Sequence, residues 1–339
     1  MIREAIAAVV DRRDLTEDEA AAVMEELMTG EATPSQAGAL LVALRMKDET
    51  VDEITGMVRV MREKVLRVEV EGDVLDVVST GGGSFDPFNI STTAALVCAG
   101  AGVRVAKHGN RGFTSKAGAA DVLEALGAKI ELTPEQVSAC IAKSNFCFLF
   151  AQSFHPAMRF VGPTRREIGV RNIFNSLGPL TNPAGARFQL LGVGDPALAP
   201  KVGQVLARLG TGRAFVVHSE DGLDEVSLSA RTFVQDVRGN SLQTLEITPE
   251  EAGLARVPLE AVASGTAAEN AERVRAVLMG TPGPDRDYTL INAATALMVC
   301  GRAESLKRGV EVAADAIASG AAQRVLDTYI ETTRSLETA

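Results

Sequence analysis

Three consecutive glycines shortly after an apolar strand limit what this chain can fold into. Residues 74–78 read as a β-strand, Gly81, Gly82 and Gly83 follow, and a helix of small residues begins near Asn89 or Ser91. Glycine lets the backbone come close to a ligand, and the free N–H groups and dipole at a helix start favour negative charge. Residues 76–92 therefore read as a cradle for an anion, with phosphate the expected one. The spacing fits neither the Walker pattern, which ends in Gly-Lys-Ser or Gly-Lys-Thr, nor Gly-x-Gly-x-x-Gly.

From about residue 70 onward, short β-rich runs alternate with helical patterns. Residues 74–78, 103–106, 129–132, 146–150, 188–193 and 214–218 are the expected strands, which predicts a mostly parallel sheet covered by helices. Residues 121–126 end at Gly127 as a helix should, and Thr133-Pro134-Glu135-Gln136 opens another. Residues 232–237 and 242–247 predict a hairpin, and 259–336 a set of alanine-rich helices. Before residue 70, Thr16-Glu17-Asp18-Glu19, Thr33-Pro34-Ser35-Gln36 and Thr50-Val51-Asp52-Glu53 are capping boxes, each announcing one helix. Met and Leu recur at helical spacing after them, which reads as core packing. The expected fold class is α/β, with a small helical domain over residues 1–68 and a larger α/β domain over 69–155 and 184–339. The arginine-bearing insertion 156–183 is expected to pack back on the helical domain, and clefts between domains favour ligands.

Composition narrows the function classes. An apolar fraction of 46% excludes a disordered chain, and no apolar run reaches the roughly 18 to 20 residues of a membrane span. With no secretion signal at its start, the chain is expected to be cytoplasmic. A net charge of −10 argues against a nucleic-acid partner. Cys98, Cys140, Cys147 and Cys300 lack metal-binding spacing and read as buried thiols.

Several polar motifs lie where parallel strands end. Lys107-His108-Gly109-Asn110-Arg111-Gly112 follows the second expected strand and would sit beside the glycine loop, where open α/β sheets bind ligands. Asp221-Gly222-Leu223-Asp224-Glu225 follows the strand ending at His218, and adjacent carboxylates there suit Mg²⁺, a hard cation that bridges to substrate phosphates. A solvated polar turn is the plainer reading of either segment alone. His218 reads as structural; His108 and His155 lie beside the candidate loops. No His-Glu-x-x-His motif occurs and no nucleophile–His pair is legible, so the chemistry looks like phosphate handling with a metal and no covalent step.

Thr80-Gly81-Gly82, Phe88-Asn89-Ile90-Ser91-Thr92, Lys107-His108-Gly109-Asn110-Arg111, His155-Pro156-Ala157-Met158, residues 175–182 and Gly222-Leu223-Asp224-Glu225 occur in this order. The chain thus resembles the anthranilate phosphoribosyltransferases over nearly its whole length. The resemblance implies transfer of the phosphoribosyl group of 5-phosphoribosyl diphosphate (PRPP) to the amine of anthranilate, releasing diphosphate. It also implies two Mg²⁺ per active site and a homodimer joined through the helical domain. By the same resemblance, PRPP would be held by Ser79, Gly81, Gly82, Gly83, Pro87, Asn89, Ile90, Ser91 and Thr92, and by Lys107, His108, Gly109, Asn110, Arg111, Gly112, Phe113, Thr114, Ser115 and Ala119. Anthranilate would meet Ser79, His108, Asn110, Arg165 and Pro179, and Ser91, Asp224 and Glu225 would hold the metal. Several positions depart from the family's usual residues: Ser79 and Gly83 stand where Gly and Asp are usual, and Pro87, Phe113 and Ala119 also differ. Related activities, a phosphoribosyltransferase for another aromatic amine or a nucleoside phosphorylase, are the alternatives within this fold class. A non-catalytic nucleic-acid-binding paralogue is the alternative of another kind.

Overall fold

The computed structural model describes residues 1–112 and 115–336, so Phe113 and Thr114 lie outside the described residues. Four helices come first: α1 (Ile2–Val10), α2 (Glu17–Thr29), α3 (Pro34–Lys47) and α4 (Val51–Lys64). All three threonine capping boxes form, with the Thr side chain accepting from the backbone N–H three residues on and the Glu or Gln answering at the cap. Sequence reasoning foresaw three helices here and missed α1, which has no side-chain cap and is held by burial of Ile2, Ala5 and Val9. The third box does more than cap. Glu53, wholly buried, also accepts from the Leu15 N–H at 2.9 Å and pairs with Lys47 at 3.1 Å. Gly56 lets α4 lie directly on α2, since a Cβ there would fall 2.1 Å from the Glu17 carbonyl oxygen.

Seven strands follow: β1 (Leu75–Ser79), β2 (Val105–Gly109), β3 (Phe146–Phe150), β4 (Phe188–Gly192), β5 (Arg213–Ser219), β6 (Thr232–Arg238) and β7 (Ser241–Ile247). They form one sheet in the order β3-β2-β1-β4-β5-β6-β7, parallel from β3 to β5, with β6 and β7 antiparallel. The strand expected at 129–132 does not form. Only a few residues separate the left-handed Gly127 from the Thr133 cap, and Lys129 N donates to Thr333 Oγ1 rather than to a strand.

Helices α5 (Ile90–Gly100), α6 (Ala119–Leu126), α7 (Pro134–Ser144) and α8 (Ala151–Phe154) occupy the first half of the α/β region. The insertion carries α9 (Gly162–Ile168) and α10 (Phe174–Leu177), and α11 (Leu198–Arg208) links β4 to β5. Helices α12 (Ala267–Leu278), α13 (Pro284–Val299), α14 (Leu306–Ala318) and α15 (Ala321–Ser335) end the described chain. Strand side chains alternate between two cores. Leu190, Phe215 and Val217 join α5 and α12 to α15 on one face, while Leu191, Ala214 and Val216 share a core with α11 and α1 to α4 on the other. The insertion touches the N-terminal helices: α9 packs on α3 and α10 on α4, and Phe160 lies over Gly30 of the α2 cap. At one edge of the sheet, all five residues of β3, Phe-Cys-Phe-Leu-Phe, are buried, and Tyr329 of α15 meets Phe146 edge-on at 5.0 Å. The opposite edge, β7, is polar and largely exposed.

Candidate active site

The carboxyl ends of β1, β2, β4 and β5 converge on one crevice. After β1 the chain turns through Gly81 and Gly82, both in the left-handed region at φ +64° and +80°, which glycine enters without the Cβ penalty. Gly82 lies under the guanidinium of Arg171, since a Cβ there would fall 2.5 Å from Arg171 Cζ, and Arg171 Nη2 donates to the Thr80 carbonyl at 2.9 Å. Gly83 lies against the acidic loop after β5, where a Cβ would fall 2.8 Å from Asp224 Oδ1. The loop is therefore enclosed by an arginine on one side and a carboxylate on the other.

Asn89 caps the approach to α5, donating to the Ala117 carbonyl at 3.1 Å and accepting from Asn270 at 3.0 Å. Ile90 and Thr92 point into the core, with Thr92 Oγ1 buried and unpartnered. Ser91 stands at the centre of the polar group: its N–H donates to Glu225 Oε1 at 3.1 Å, and its Oγ accepts from Lys107 Nζ at 3.2 Å. Lys107 also donates to the Val77 carbonyl. Burial lowers its pKa, with Asp76 and Glu225 pulling the other way.

Glu225 is pushed up to about 8 by burial and by its neighbour Asp224, whose own carboxyl is raised by burial. Glu225 Oε2 is buried without a partner. Two desolvated carboxylates, one with a free oxygen, beside a serine hydroxyl are what a hard dication relieves, so these residues fit Mg²⁺. Among the described residues no three His, Cys, Asp or Glu side chains gather at one point. Such a set would offer a metal two carboxylates and a hydroxyl and would leave positions for substrate oxygens and water.

On the β2 side, His108 and His155 are stacked at a tilt with their Nε2 atoms 3.3 Å apart, and His108 Nδ1 faces the Gly178 carbonyl at 3.1 Å. A carbonyl can only accept, so the neutral His108 carries its proton on Nδ1 and presents its Nε2 lone pair to His155, whose ring also bonds the Thr181 carbonyl. Burial lowers His108 to about 3 and His155 to about 4. The His108 N–H donates to Asp76 Oδ1 at 3.1 Å, and Asn182 donates to Asp76 Oδ2 at 2.8 Å. Pro179 is buried beside them. His218 Nδ1 bonds the Val193 carbonyl at 2.9 Å, the structural role read for it.

Other expected residues stand differently. Arg111 turns to Asp121 and Glu124 of α6, and Asp121 Oδ2 accepts from Gly112 N and Gly118 N at 2.9 Å each. Its charge is spent on shaping the loop. Asn110 Oδ1 accepts from Arg111 N at 2.8 Å. Arg165, on α9, has its guanidinium over Phe174 and a buried Nε with no partner, and burial brings its pKa down to about 10. A desolvated guanidinium of this kind suits a carboxylate. Sequence reasoning missed Arg171 and Asp76 as site residues: one was an arginine among four in the insertion, the other an acid inside an apolar strand, and neither carries a spacing signal.

Residues 3–65 match the helical bundle domain of the glycosyl transferase family, and residues 71–323 match its a/b domain. Sheet, glycine loop and paired carboxylates thus belong to a glycosyl transferase with an N-terminal helical bundle. Among curated relatives, the anthranilate phosphoribosyltransferase of Herpetosiphon aurantiacus is 52% identical, over 97% of this chain and 98% of its own. The crystal structure of the Thermus thermophilus anthranilate phosphoribosyltransferase is 44% identical with a TM-score of 0.91, covering 97% of this chain and 99% of that one. That from Saccharomyces cerevisiae, in complex with PRPP and Mg, is 28% identical with a TM-score of 0.90, covering 98% of each. This chain belongs to the anthranilate phosphoribosyltransferase family.

Proposed function

We propose that this chain transfers the phosphoribosyl group of PRPP to the amine of anthranilate, giving N-(5-phosphoribosyl)anthranilate and diphosphate with Mg²⁺ assistance. The observation that carries the reading is the joining of the glycine loop, Lys107 and Ser91 to the buried Asp224-Glu225 pair at the strand ends. The yeast relative's complex with PRPP and Mg supports it. Asp224, Glu225 and Ser91 would hold the metal, which supplies positive charge to the departing diphosphate.

The chain's own residues do the rest. The backbone of Gly81 to Gly83 and the start of α5 receive phosphoryl oxygens, while Lys107 places a cation beside Ser91. Arg165 takes the carboxylate of anthranilate and so aims its amine, with His108, Asn110, Ser79 and Pro179 along its path. An aromatic amine is already a nucleophile, and the neutral His108–His155 pair adds no charge near a ribose carbon that becomes cationic as diphosphate leaves. Two copies associate through the N-terminal helices, where Met1 before α1, Val10 on α1, and Val42 and Met46 on α3 stay exposed. The helical part then comprises residues 1–68 with 156–183, and the α/β part the remainder. Loss of anthranilate fluorescence in the presence of PRPP and Mg²⁺ tests the reaction; no loss, with each substrate shown to be intact, would refute it.

A further inference from the structure

The sheet has a second opening at its other end. Where β1, β4 and β5 begin, a cavity of about 590 Å³ lies between the end of α4 and the strand starts, lined by Arg62, Arg67, Asp73, Arg187, Gln189 and Thr211 among others. That volume suits a small molecule. Arg187 is paired with Asp73 at 3.3 Å, and with Glu69 also in the lining the three arginines outnumber the two acids. Arg62 is partly buried, donates from Nε to the Leu180 carbonyl at 2.8 Å, and has no carboxylate partner among the described residues. Arg67 is exposed and likewise has no ion pair among the described residues. Gln189 is only 2% exposed; its Nε2 donates to the Pro179 carbonyl at 3.1 Å, while its Oε1 has no partner. The buried Gln189 oxygen thus lacks the partner that burial ordinarily demands, and the Arg62 guanidinium lacks a counter-charge.

We propose that this cavity is a second small-molecule site, for a carboxylate or phosphate that also carries an N–H or O–H donor. The anionic group pairs with Arg62 and Arg67, and the donor reaches Gln189 Oε1. This chemistry is held apart from the PRPP crevice by the length of the strands, and its occupancy does not depend on the reading of that crevice.

One wall of the cavity is residues 182–187, and residues 178–181 just before it meet the histidine pair. Arg62 holds the Leu180 carbonyl, Gln189 holds the Pro179 carbonyl, and Asn182 ties the same segment to Asp76 and through it to His108. A ligand that draws on Arg62 and Gln189 changes the bonds that fix Pro179. Its consequence is a changed affinity for the acceptor, and only this consequence rests on the proposed function.

The test uses the full chain and two kinds of probe: inorganic phosphate, and each of the twenty common L-amino acids in turn. Thermal shift finds the binding probe and calorimetry counts its sites. The expected result is one site per chain, unaffected by saturating PRPP, for at least one probe. Which kind of probe binds tells carboxylate from phosphate. Arg62→Gln weakens it by about tenfold or more, as loss of a charge-assisted hydrogen bond implies. Arg67→Gln, an exposed change that leaves packing intact, also weakens it. Failure of every probe, displacement by PRPP, or binding unchanged in both variants would overturn the proposal.

Discussion

His108 and His155 show how burial, helped at His108 by the neighbouring His155 and Lys107, sets a charge state. Their pKa values of about 3 and about 4 lie below the roughly 6.5 of an unfolded histidine, so the native rings stay neutral while unfolded ones take up protons. Their contribution to stability is complete above about pH 6.5 and is lost as pH falls. Asp76, which faces His108, acts in the opposite sense: burial pushes it up to about 6, so the native carboxyl protonates first and adds stability below that pH. Melting curves would mix the two effects, with Lys107 also close by. NMR of the imidazole Cε1 protons separates them, and the signals of His108 and His155 are expected to stay flat from pH 8 to pH 5; a midpoint near 6.5 would contradict the buried pair. Arg165 gives a second prediction. Arg165→Ala should raise the KM for anthranilate by about 100-fold, or roughly 3 kcal/mol for a lost charge-assisted pair, and leave that for PRPP nearly unchanged; steady-state kinetics with each substrate varied would show an equal loss if the role is wrong. At this scale the motif residues were legible because glycine, lysine and paired acids carry their chemistry in their names. Arg171 and Asp76 were not, because their roles come from what the fold sets beside them.

Among the elements, the capping boxes are the most transparent link from sequence to structure, yet their weights differ. Thr50→Ala removes one cap and should cost about 1 kcal/mol. Glu53→Ala removes the same cap's partner, the acceptor of Leu15 N and one counter-charge of Lys47, which is 4% exposed. Lys47 keeps Asp14 at 2.6 Å, so the added loss is one ion pair and the buried Leu15 N–H left without its acceptor, which raises the cost to about 2 to 3 kcal/mol. Urea unfolding of the two variants should therefore separate clearly, and equal midpoints would mean that Glu53 only caps. Gly56→Ala is a sharper case, because alanine favours a helix by about 1 kcal/mol over glycine. Here the Cβ would sit 2.1 Å from a backbone oxygen of α2, and overpacking of about 1 to 3 kcal/mol outweighs the gain. A stabilised Gly56→Ala in the same urea series would show that α2 and α4 are not in contact as described. Residues 129–132 mark where pattern reading ends: their alternation of charged and apolar residues resembles a strand, and only the helix caps on either side decide that they pack on α15 instead.

For the molecule as a whole, alternation of short apolar runs and helices sufficed to define an α/β fold, whereas the sharing of cores did not show in sequence. Leu191 and Val216 on the sheet belong to the same core as Met24 and Leu40 of the N-terminal helices, and that union depends on α11 lying between them. Exposed Val10 and Met46, at 64% and 71%, have no such cover within one chain. If the proposed dimer forms through these helices, Val10→Asp with Met46→Asp should convert it into a monomer in analytical ultracentrifugation; an unchanged mass would count against that interface. At the sheet's edges, β7 carries Gln, Thr and Glu and is tolerant of water, but β3 is five apolar residues in a row beneath α15. An uncovered strand of that composition is a template for pairing with other chains. The last helix therefore acts as a guard against aggregation as well as a packing element: loosening it by Tyr329→Ala would bring turbidity and chain-to-chain β-association before it brought unfolding of the rest.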